Sequence, residues 1–358
     1  MRSNGTYPVK VKTINGSFDF ELNRFKSDKG STNFFVSSGI FQKGESYESN
    51  KLKDFVSYYA TKMSYEMVSE LTMERCGGVS ISDQHIQQIV IEKVAKVGLL
   101  QDTFIKKSQS CEFPILGIAN LYTADNKEVI CMEDGVSVSQ QKLNRDKIAK
   151  KGRERTTTDM VLLQTPTDKF ECIIATQKID LTDLVTAKFK EYYSQKKVNV
   201  VVISDGARNI KNRCQTLFGD TYVHILDWYH LQKKVKELMS MIAPNKDVKI
   251  EYIRELNQLL WHGKGLESIE KLRNYQVKNR EKQQELIGYL EKNVPHIIDY
   301  KKRKEIGKTI GSGRMEKVGD LMIAKRQKEK AMSWSETGSN ALAVLNALYM
   351  NIATENLH

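Results

Sequence analysis

The chain has 358 residues, of which 40% are hydrophobic and 28% charged, as in an ordinary globular protein. It has no run of about 18 apolar residues, which excludes a membrane-spanning helix. Because the N-terminal residues contain no apolar signal core, we expect a cytoplasmic protein. The five cysteines are scattered singly, and this spacing fits neither a disulfide framework nor a cysteine zinc site.

Basic charge is concentrated in two stretches of the chain. The formal net charge is +12. Residues 141–155 hold seven basic and two acidic side chains (net +5), and residues 301–330 hold eleven basic and four acidic ones (net +7). Clustered positive charge of this kind is typical of a protein that binds a polyanion. A solvated surface that only keeps the protein soluble is the alternative.

The first residues of the chain predict a β-hairpin. Apolar and polar residues alternate over residues 9–13 and again over residues 18–22. Between these stretches lies Asn15-Gly16, and this dipeptide favours the positive φ angles of a tight turn.

Two helical patterns follow the hairpin and complete a unit of about residues 1–100. Residues 51–75 carry apolar side chains at helical spacing, and Gly77-Gly78 then interrupts the pattern. A second helix is predicted from an N-cap at Ser82 or Asp83 to a stop at Gly98. The order is compatible with a DNA-binding helix-turn-helix, although an ordinary helical corner is equally compatible. The second helix is predicted to expose the glutamines Gln84, Gln87 and Gln88.

The residues from 126 to 227 predict a mixed sheet with helices packed on it. Residues 127–138 and 170–179 have strand character, residues 181–196 are helical, and residues 198–204 form a continuous apolar strand. A further helix and strand lead to Asp227, and strands followed by strand–helix–strand units define an α/β fold with a mixed sheet. Residues 228–300 are almost wholly helical in pattern.

Aspartates at the ends of predicted strands are the candidate site residues. Asp205 directly follows a strand that is apolar on both faces, which is where open α/β sheets build their sites. Asp134 shares a strand face with apolar residues, and a carboxylate there is costly unless it is paired or binds a metal. Asp227 ends a third strand, with His230 one helical turn later. The alternative for Asp205 and Asp227 is that each caps the following helix.

A third carboxylate would complete a site for hard cations. Glu316 lies beside an apolar helical stripe that contains Met315 and Met322, and Gly311 and Gly313 precede it. Mg²⁺ prefers oxygen ligands, and two such ions can clamp the attacking and leaving oxygens of a phosphodiester.

The chain resembles the DDE transposases of bacterial insertion sequences, in the Mutator-like group and nearest the Kra-type elements. The matching stretches are MEDGVSV, VVISDGA, ILDWYHL, GSGRMEKV and MSWSETGSNALAVL. The spacing also agrees, with 70 residues between Asp134 and Asp205 and 110 between Asp205 and Glu316. The chain departs from many relatives in lacking N-terminal cysteine pairs.

The resemblance implies a ribonuclease-H-like fold and a nucleic-acid enzyme. The catalytic domain would begin at 126–227, a helical insertion would span 228–305, and the acidic and closing helices would occupy 306–358. Asp134, Asp205 and Glu316 would bind two Mg²⁺ ions, which Mn²⁺ can replace, and His230 would act beside them. The implied partner is double-stranded DNA of transposon ends and target, bound by a homodimer or higher homo-oligomer on the bacterial nucleoid.

The predicted DNA-binding side chains are basic or aromatic. They are Lys150, Lys151, Arg153, Arg155, Trp261, Arg314, Lys317, Lys325 and Arg326. For Trp261, burial in the core against neighbouring leucines is the alternative. For the whole chain, the alternatives are a transposase-derived DNA-binding protein without catalysis and a ribonuclease-H-like DNA nuclease.

Overall fold

The computed structural model describes residues 2–26, 33–35, 47–141, 154–329 and 332–355. By its internal contacts the chain forms two compact units. The first comprises Met1–Val97, Ser139–Glu154 and Arg326–His358, and the second comprises Gly98–Val138 and Arg155–Lys325. In the described part of the chain, no helix has the length and apolar character needed to cross a membrane.

The described residues form ten strands. They are β1 (Arg2–Thr13), β2 (Gly16–Lys26), β3 (Asn33–Phe35), β4 (Tyr47–Glu48), β5 (Ile115–Gly117), β6 (Val129–Ser139), β7 (Arg155–Gln164), β8 (Phe170–Ile173), β9 (Lys197–Ser204) and β10 (Val223–Leu226). The first four strands form one sheet, in the order β3-β2-β1-β4. The other six form a second sheet, in which β10-β9-β6-β7-β8 are neighbours and β5 also pairs with β9.

The described residues also form thirteen α-helices. They are α1 (Asn50–Ala60), α2 (Tyr65–Arg75), α3 (Asp83–Ser108), α4 (Leu181–Tyr193), α5 (Arg208–Phe218), α6 (Trp228–Ile242), α7 (Lys246–Trp261), α8 (Gly265–Arg273), α9 (Arg280–Asn293), α10 (Tyr300–Glu305), α11 (Gly313–Gly319), α12 (Lys325–Gln327) and α13 (Glu336–Glu355). A 3₁₀ turn spans Val294–His296, and a π-helical turn at Asp320–Ala324 links α11 to α12.

The first unit contains the predicted hairpin with a turn that differs in detail. β1 and β2 are antiparallel, and Thr13 pairs with Gly16, so the turn residues are Ile14 and Asn15. Gly16 has a φ of +136°, whereas Asn15 has no positive φ. The prediction that Asn15-Gly16 supplies the turn is therefore wrong by one residue, although the hairpin itself is confirmed.

The helices of the first unit begin where the sequence predicted but end elsewhere. The predicted helix over 51–75 is two helices, α1 and α2, each capped by a serine side chain. Ser82 caps α3 by accepting a hydrogen bond from the backbone N–H of His85 at 3.3 Å. Gly98 does not stop α3, which continues to Ser108. The α1 helix packs on α13, where Ser57 Oγ lies 2.9 Å from the hydroxyl of Tyr349.

The second unit contains the predicted mixed sheet. β5, β6 and β10 all run parallel to β9, whereas β7 and β8 are antiparallel. The sequence predicted β6, β9 and β10 but gave no strand at β7, and β8 is only the first part of the predicted 170–179 strand. A mixed α/β fold with many helices is thus confirmed.

Helices cover both faces of this sheet. One face forms a core with α4 and α5, in which Val202, Phe189 and Cys214 are buried. On the other face, α11 approaches so closely that a Cβ added at Gly319 would lie 2.9 Å from Met160 Cε and 3.1 Å from Val136 Cγ2. Asp134 shares the face of Val136, because side chains alternate along a strand. The α11 helix and Asp134 therefore belong to the same side of the sheet.

Candidate functional site

Aspartates stand level with one another on adjacent strands of the second unit. The register pairs Met132 of β6 with Ile203 of β9, and Leu226 of β10 with Ser204 of β9. Continuing the register places both Asp134 and Asp227 beside Asp205 at this edge of the sheet. The local sequence makes this arrangement, because apolar strands run up to each aspartate and a helix follows two of them.

Glu316 of α11 adds a carboxylate to this edge. Burial raises the pKa of Asp134, and the negative charges of Asp205 and Glu316 raise it further. Electrostatic coupling of this kind requires the carboxylates to be close to one another. The side chain of Glu316 remains 52% exposed, so it can reach a ligand in solvent. The structure thus places Asp134, Asp205 and Glu316 at the same edge of the sheet.

His230 lies between Asp227 and Glu316. Its Nδ1 is 3.7 Å from Asp227 Oδ1, and its Nε2 is 3.8 Å from Glu316 Oε1. Asp227 raises the pKa of His230, and the charges of Asp134 and Glu316 act in the same direction. The imidazole is therefore held in its cationic form to a higher pH than an isolated histidine.

Asp227 joins the helix of His230 to the segment that leads to Glu316. Its Oδ1 accepts a hydrogen bond from the backbone N–H of His230 at 2.9 Å, which caps α6. Its Oδ2 accepts the backbone N–H of Ser312, the residue before α11. Burial alone would raise the pKa of Asp227, but these hydrogen bonds from His230 and Ser312 outweigh it and lower the pKa. Asp227 therefore has the capping role that the sequence offered as an alternative.

The insertion helices contribute side chains that the sequence did not indicate. Burial raises the pKa of Tyr289 in α9, and Asp205 and Asp227 raise it further, so its phenol is near both carboxylates. Asn293 at the end of α9 accepts a hydrogen bond from Lys211 Nζ at 3.1 Å. No pattern in the sequence marks these residues. They reach the site only because α9, which is distant along the chain, contacts the loop after β9.

Gly206 allows this approach. Its φ is +80°, and a Cβ added there would lie 2.7 Å from Asn293 Oδ1. A glycine directly after Asp205 is therefore needed for both its backbone conformation and its close contact with α9.

A salt-bridge cluster lies on the opposite face of β6. Glu133 is 3% exposed and pairs with Arg213 of α5. Arg213 also contacts Asp159 of β7 at 3.1 Å. Gly135 leaves room for this carboxylate, since an added Cβ would lie 2.9 Å from Asp159 Oδ1. Glu133 thus points away from Asp134 and ties β6 to α5 on the opposite face of the sheet.

Four of the five predicted basic DNA contacts that lie in the described residues are exposed. Arg155, Arg314, Lys317 and Lys325 lie on the surface, and the guanidinium of Arg314 stacks 4.3 Å above the ring of Phe170. The predictions for Lys150, Lys151 and Arg153 lie outside the described residues.

Arg326 is a correction to the prediction that it faces DNA phosphates. It is only 4% exposed, its Nε donates to the carbonyl of Ala60 at 3.2 Å, and its guanidinium lies 4.9 Å from the ring of Trp334. A long cationic side chain at this point packs inside the first unit rather than reaching solvent.

Trp261 is half-buried in an aromatic cluster at the end of α7. Its ring centroid lies 4.8 Å from that of Trp228 and 6.3 Å from that of Tyr300. The ammonium of Lys304 lies 5.6 Å from the same ring. Since Trp228 follows Asp227 directly, the cluster connects the end of α7 and the start of α10 to the start of α6.

The donor chemistry of the acidic site fits a hard divalent cation, because its ligands would be carboxylate oxygens. The side chains do not converge as they stand. Within the described ranges, no group of three or more His, Cys, Asp or Glu residues is arranged to hold a metal ion. Metal binding by the triad would therefore require a side-chain movement, for which the half-exposed Glu316 has room.

These features define a mixed α/β protein with acidic residues gathered at one edge of its larger sheet. The chain belongs to the uncharacterised protein family UPF0236, whose family model matches residues 6–356. A comparison with curated proteins found no match. Among solved structures, the Drosophila P element transposase strand transfer complex has 9% sequence identity and a TM-score of 0.26, over 88% of this chain and 81% of that chain. Values this low establish neither a shared fold nor a shared function.

Proposed function

We propose that the chain is a DNA transposase of the DDE type, with a ribonuclease-H-like catalytic domain that cleaves DNA strands and joins them to a target. The observation that carries this proposal is the placement of Asp134, Asp205 and Glu316 at one edge of the sheet, where burial, and to a smaller extent the charges of Asp205 and Glu316, raise the pKa of Asp134. Carboxylates from two parallel strands and one helix, placed at one edge of the sheet beside His230, suit a site that receives divalent metal and phosphate. The motifs that resemble Mutator-like and Kra-type transposases contain these same residues.

The role of the three carboxylates is to hold Mg²⁺ or Mn²⁺. When bound, two such ions would lower the pKa of a nucleophilic water or 3′-hydroxyl and stabilise the leaving oxygen. Asp134 is set by its strand and Asp205 by its hydrogen bond from the backbone N–H of Ala207 at 2.8 Å. Glu316 completes the set by moving its exposed side chain.

His230 is the residue that meets the phosphate or the leaving group. Its raised pKa favours the cation, which can donate a hydrogen bond to a phosphate oxygen or a proton to a departing alkoxide. Asp227 holds the ring from behind, so this residue positions His230 rather than contacting DNA.

The surrounding surface provides the DNA contacts. Arg155, Arg314, Lys317 and Lys325 supply positive charge for phosphates, and Trp261 offers an aromatic ring for an unpaired base. Double-stranded DNA on the bacterial nucleoid is the proposed partner, bound by a homodimer or a higher homo-oligomer.

The test of the acidic site is the substitution Asp205→Asn. It should abolish Mg²⁺-dependent cleavage of DNA carrying the element's ends, because an amide cannot supply a carboxylate ligand, while DNA binding stays intact. Asp125→Asn is the matched control, since Asp125 is exposed in the loop before β6. Gel assays measure cleavage, and fluorescence anisotropy measures binding. Full cleavage by Asp205→Asn would remove the triad from the mechanism.

A further inference from the structure

Lys211 occupies an unusual position beside Asp205. It lies in the first turn of α5, and its ammonium donates to Asn293 Oδ1 at 3.1 Å. Asn293 is only 1% exposed, and its amide nitrogen donates to the carbonyl of Tyr289 at 2.9 Å. This second bond fixes the amide so that its oxygen faces Lys211 and Gly206. The lysine is therefore held in place rather than left free in solvent.

The charge of Lys211 is only partly offset by its neighbours. Its hydrogen-bond partner is a neutral amide, and across the described ranges it forms no ion pair with a carboxylate. Asp205 is near enough to favour the ammonium, but burial and the charge of Lys292 prevail and lower the pKa of Lys211. A partly desolvated cation with no carboxylate in direct contact is costly, and an anion from outside the chain would stabilise it.

The remaining neighbours cannot supply that anion. The rings of His224 and His296 pack against each other at a tilt of 45°, with centroids 4.4 Å apart. Burial lowers the pKa of His224 to about 3 and that of His296 to about 4, so both rings are neutral near pH 7. Lys292 directly precedes Asn293 and adds a second, exposed ammonium. The neighbours of Lys211 are thus the carboxylate of Asp205, a second ammonium and two neutral imidazoles.

We propose that Lys211 and Lys292 form a binding site for one phosphate group of the DNA strand that passes Asp205. A phosphate there would pair with both ammonium groups and would sit next to the candidate catalytic carboxylate. This inference rests on the proposed function for the identity of the polyanion. It adds a DNA contact made by α5 and α9, which neither charged stretch of the sequence contains.

The experiment measures DNA binding without catalysis. A labelled duplex is titrated in EDTA at several salt concentrations, with the wild-type chain, Lys211→Met, Lys292→Met and the double variant. Loss of one phosphate contact should reduce the slope of log affinity against log salt concentration by about 1 in the double variant. Lys211→Met should weaken binding by itself, whereas Lys211→Arg should keep the wild-type slope because the charge remains.

Controls separate this site from general charge and from folding. Lys178→Met removes an exposed charge just after β8, which is three strands away from β9 in the sheet. This control should keep a steeper dependence of log affinity on log salt concentration than Lys211→Met. Thermal melting checks that each variant is folded. A folded Lys211→Met protein with wild-type affinity and slope would overturn the proposal. So would stabilisation by inorganic phosphate that requires Lys211 without any change in the DNA slope, since the ligand would then be a free phosphate.

Failure of this proposal is distinguishable from failure of the proposed function. If the lysine variants show the expected reduction of the salt-dependence slope but wild-type protein never cleaves DNA, the phosphate site is supported and the proposed catalytic function is contradicted. If wild-type protein cleaves DNA and the lysine variants bind normally, the reverse holds.

Discussion

His224 shows how a single buried residue couples this fold to pH. It lies in β10, 6% exposed, and its Nε2 is 2.9 Å from Ser204 Oγ. Burial lowers its pKa to about 3, with smaller contributions from His296 and Lys211. In the unfolded chain the same imidazole accepts a proton near pH 6.5. The unfolded state therefore binds more protons than the folded state between these values.

We predict that the stability of the second unit falls as the pH drops from about 6.5 towards 4. One proton taken up on unfolding corresponds to a slope of about 1.4 kcal/mol per pH unit. His224→Gln should reduce the slope of the unfolding free energy against pH by about this amount. At neutral pH, where His224 is neutral in both states, the variant should change the unfolding free energy by an amount that does not depend on pH. Urea unfolding at several pH values measures it. Equal slopes for wild type and variant between pH 4 and 6 would contradict the assignment of a neutral buried His224.

The site residues divide into those that sequence can indicate and those that it cannot. Asp134 and Asp205 stand in or directly after long apolar strands, so the strand pattern itself predicted that they meet. Tyr289 and Lys211 come together only because α9 packs against the loop at Gly206. Arg326 and Lys325 are neighbouring basic residues of the same charged stretch, so the sequence does not distinguish them. Only the packing of the first unit makes Arg326 buried while Lys325 is exposed.

At the scale of elements, a buried salt-bridge network connects α10 to the start of β6. Arg303 is fully buried and pairs with Glu128 at 2.7 Å, and Lys308 contacts the same carboxylate at 2.6 Å. Arg303 Nε also donates to the carbonyl of Thr309 at 2.8 Å. Because this segment continues to α11, the network fixes the approach of Glu316 from one end while Asp227 fixes it at the other.

We predict that Glu128→Gln destabilises the second unit by about 3–5 kcal/mol, because it leaves Arg303 buried without its counter-charge. The matched control is Glu267→Gln in the pair of Glu267 with Lys264, whose side chains are 55% and 49% exposed. An exposed pair of this kind contributes about 1 kcal/mol at most. Chemical denaturation measures both variants. Similar decreases in the free energy of unfolding for the two variants would show that the Arg303 network stabilises the protein no more than a surface ion pair does.

The elements themselves were predictable where burial follows a regular pattern. β9 was predicted because its apolar residues form a continuous run, and α6 because its apolar residues repeat with the period of a helix. β7 was not predicted, since Thr156 and Thr158 are polar, although both are buried and alternate as in a strand. Gly98 did not end α3, because a glycine inside a helix costs only about 1 kcal/mol and packing against Thr176 can outweigh it.

At the scale of the whole molecule, helices α6–α9 can have one of two roles. They can hold DNA, or they can only support the acidic edge of the sheet. Trp261 contacts Trp228 and Tyr300, while part of its ring remains accessible. Tyr300 in turn donates a hydrogen bond to the carbonyl of Leu226 at 2.8 Å, at the end of β10. A base stacked on Trp261 would therefore be held by a cluster that is hydrogen-bonded to the end of β10, next to Asp227.

We predict that the protein joins a 3′-hydroxyl end to a second duplex rather than only hydrolysing DNA. Hydrolysis and joining need the same carboxylates, and they differ in whether the nucleophile is water or a retained DNA end. Stacking of one unpaired base on Trp261 is worth about 1–3 kcal/mol, which can retain such an end between the two reactions. The assay incubates a pre-cleaved, labelled end with Mg²⁺, supercoiled plasmid and the protein.

Wild-type protein should give joined product, and Trp261→Ala should lose it while water-mediated nicking persists. Tyr252→Ala is the matched control, because Tyr252 is an aromatic residue of α7 that stacks on Tyr275 and takes no part in the Trp228 cluster. Melting temperatures of both variants show whether lost packing, rather than lost stacking on DNA, explains a defect. Joining that survives Trp261→Ala would assign Trp261 to the core. Nicking by wild-type protein without any joined product would identify a nuclease. A transposase uses the same metal-dependent chemistry, but it also retains the cleaved DNA end and joins it to a second duplex.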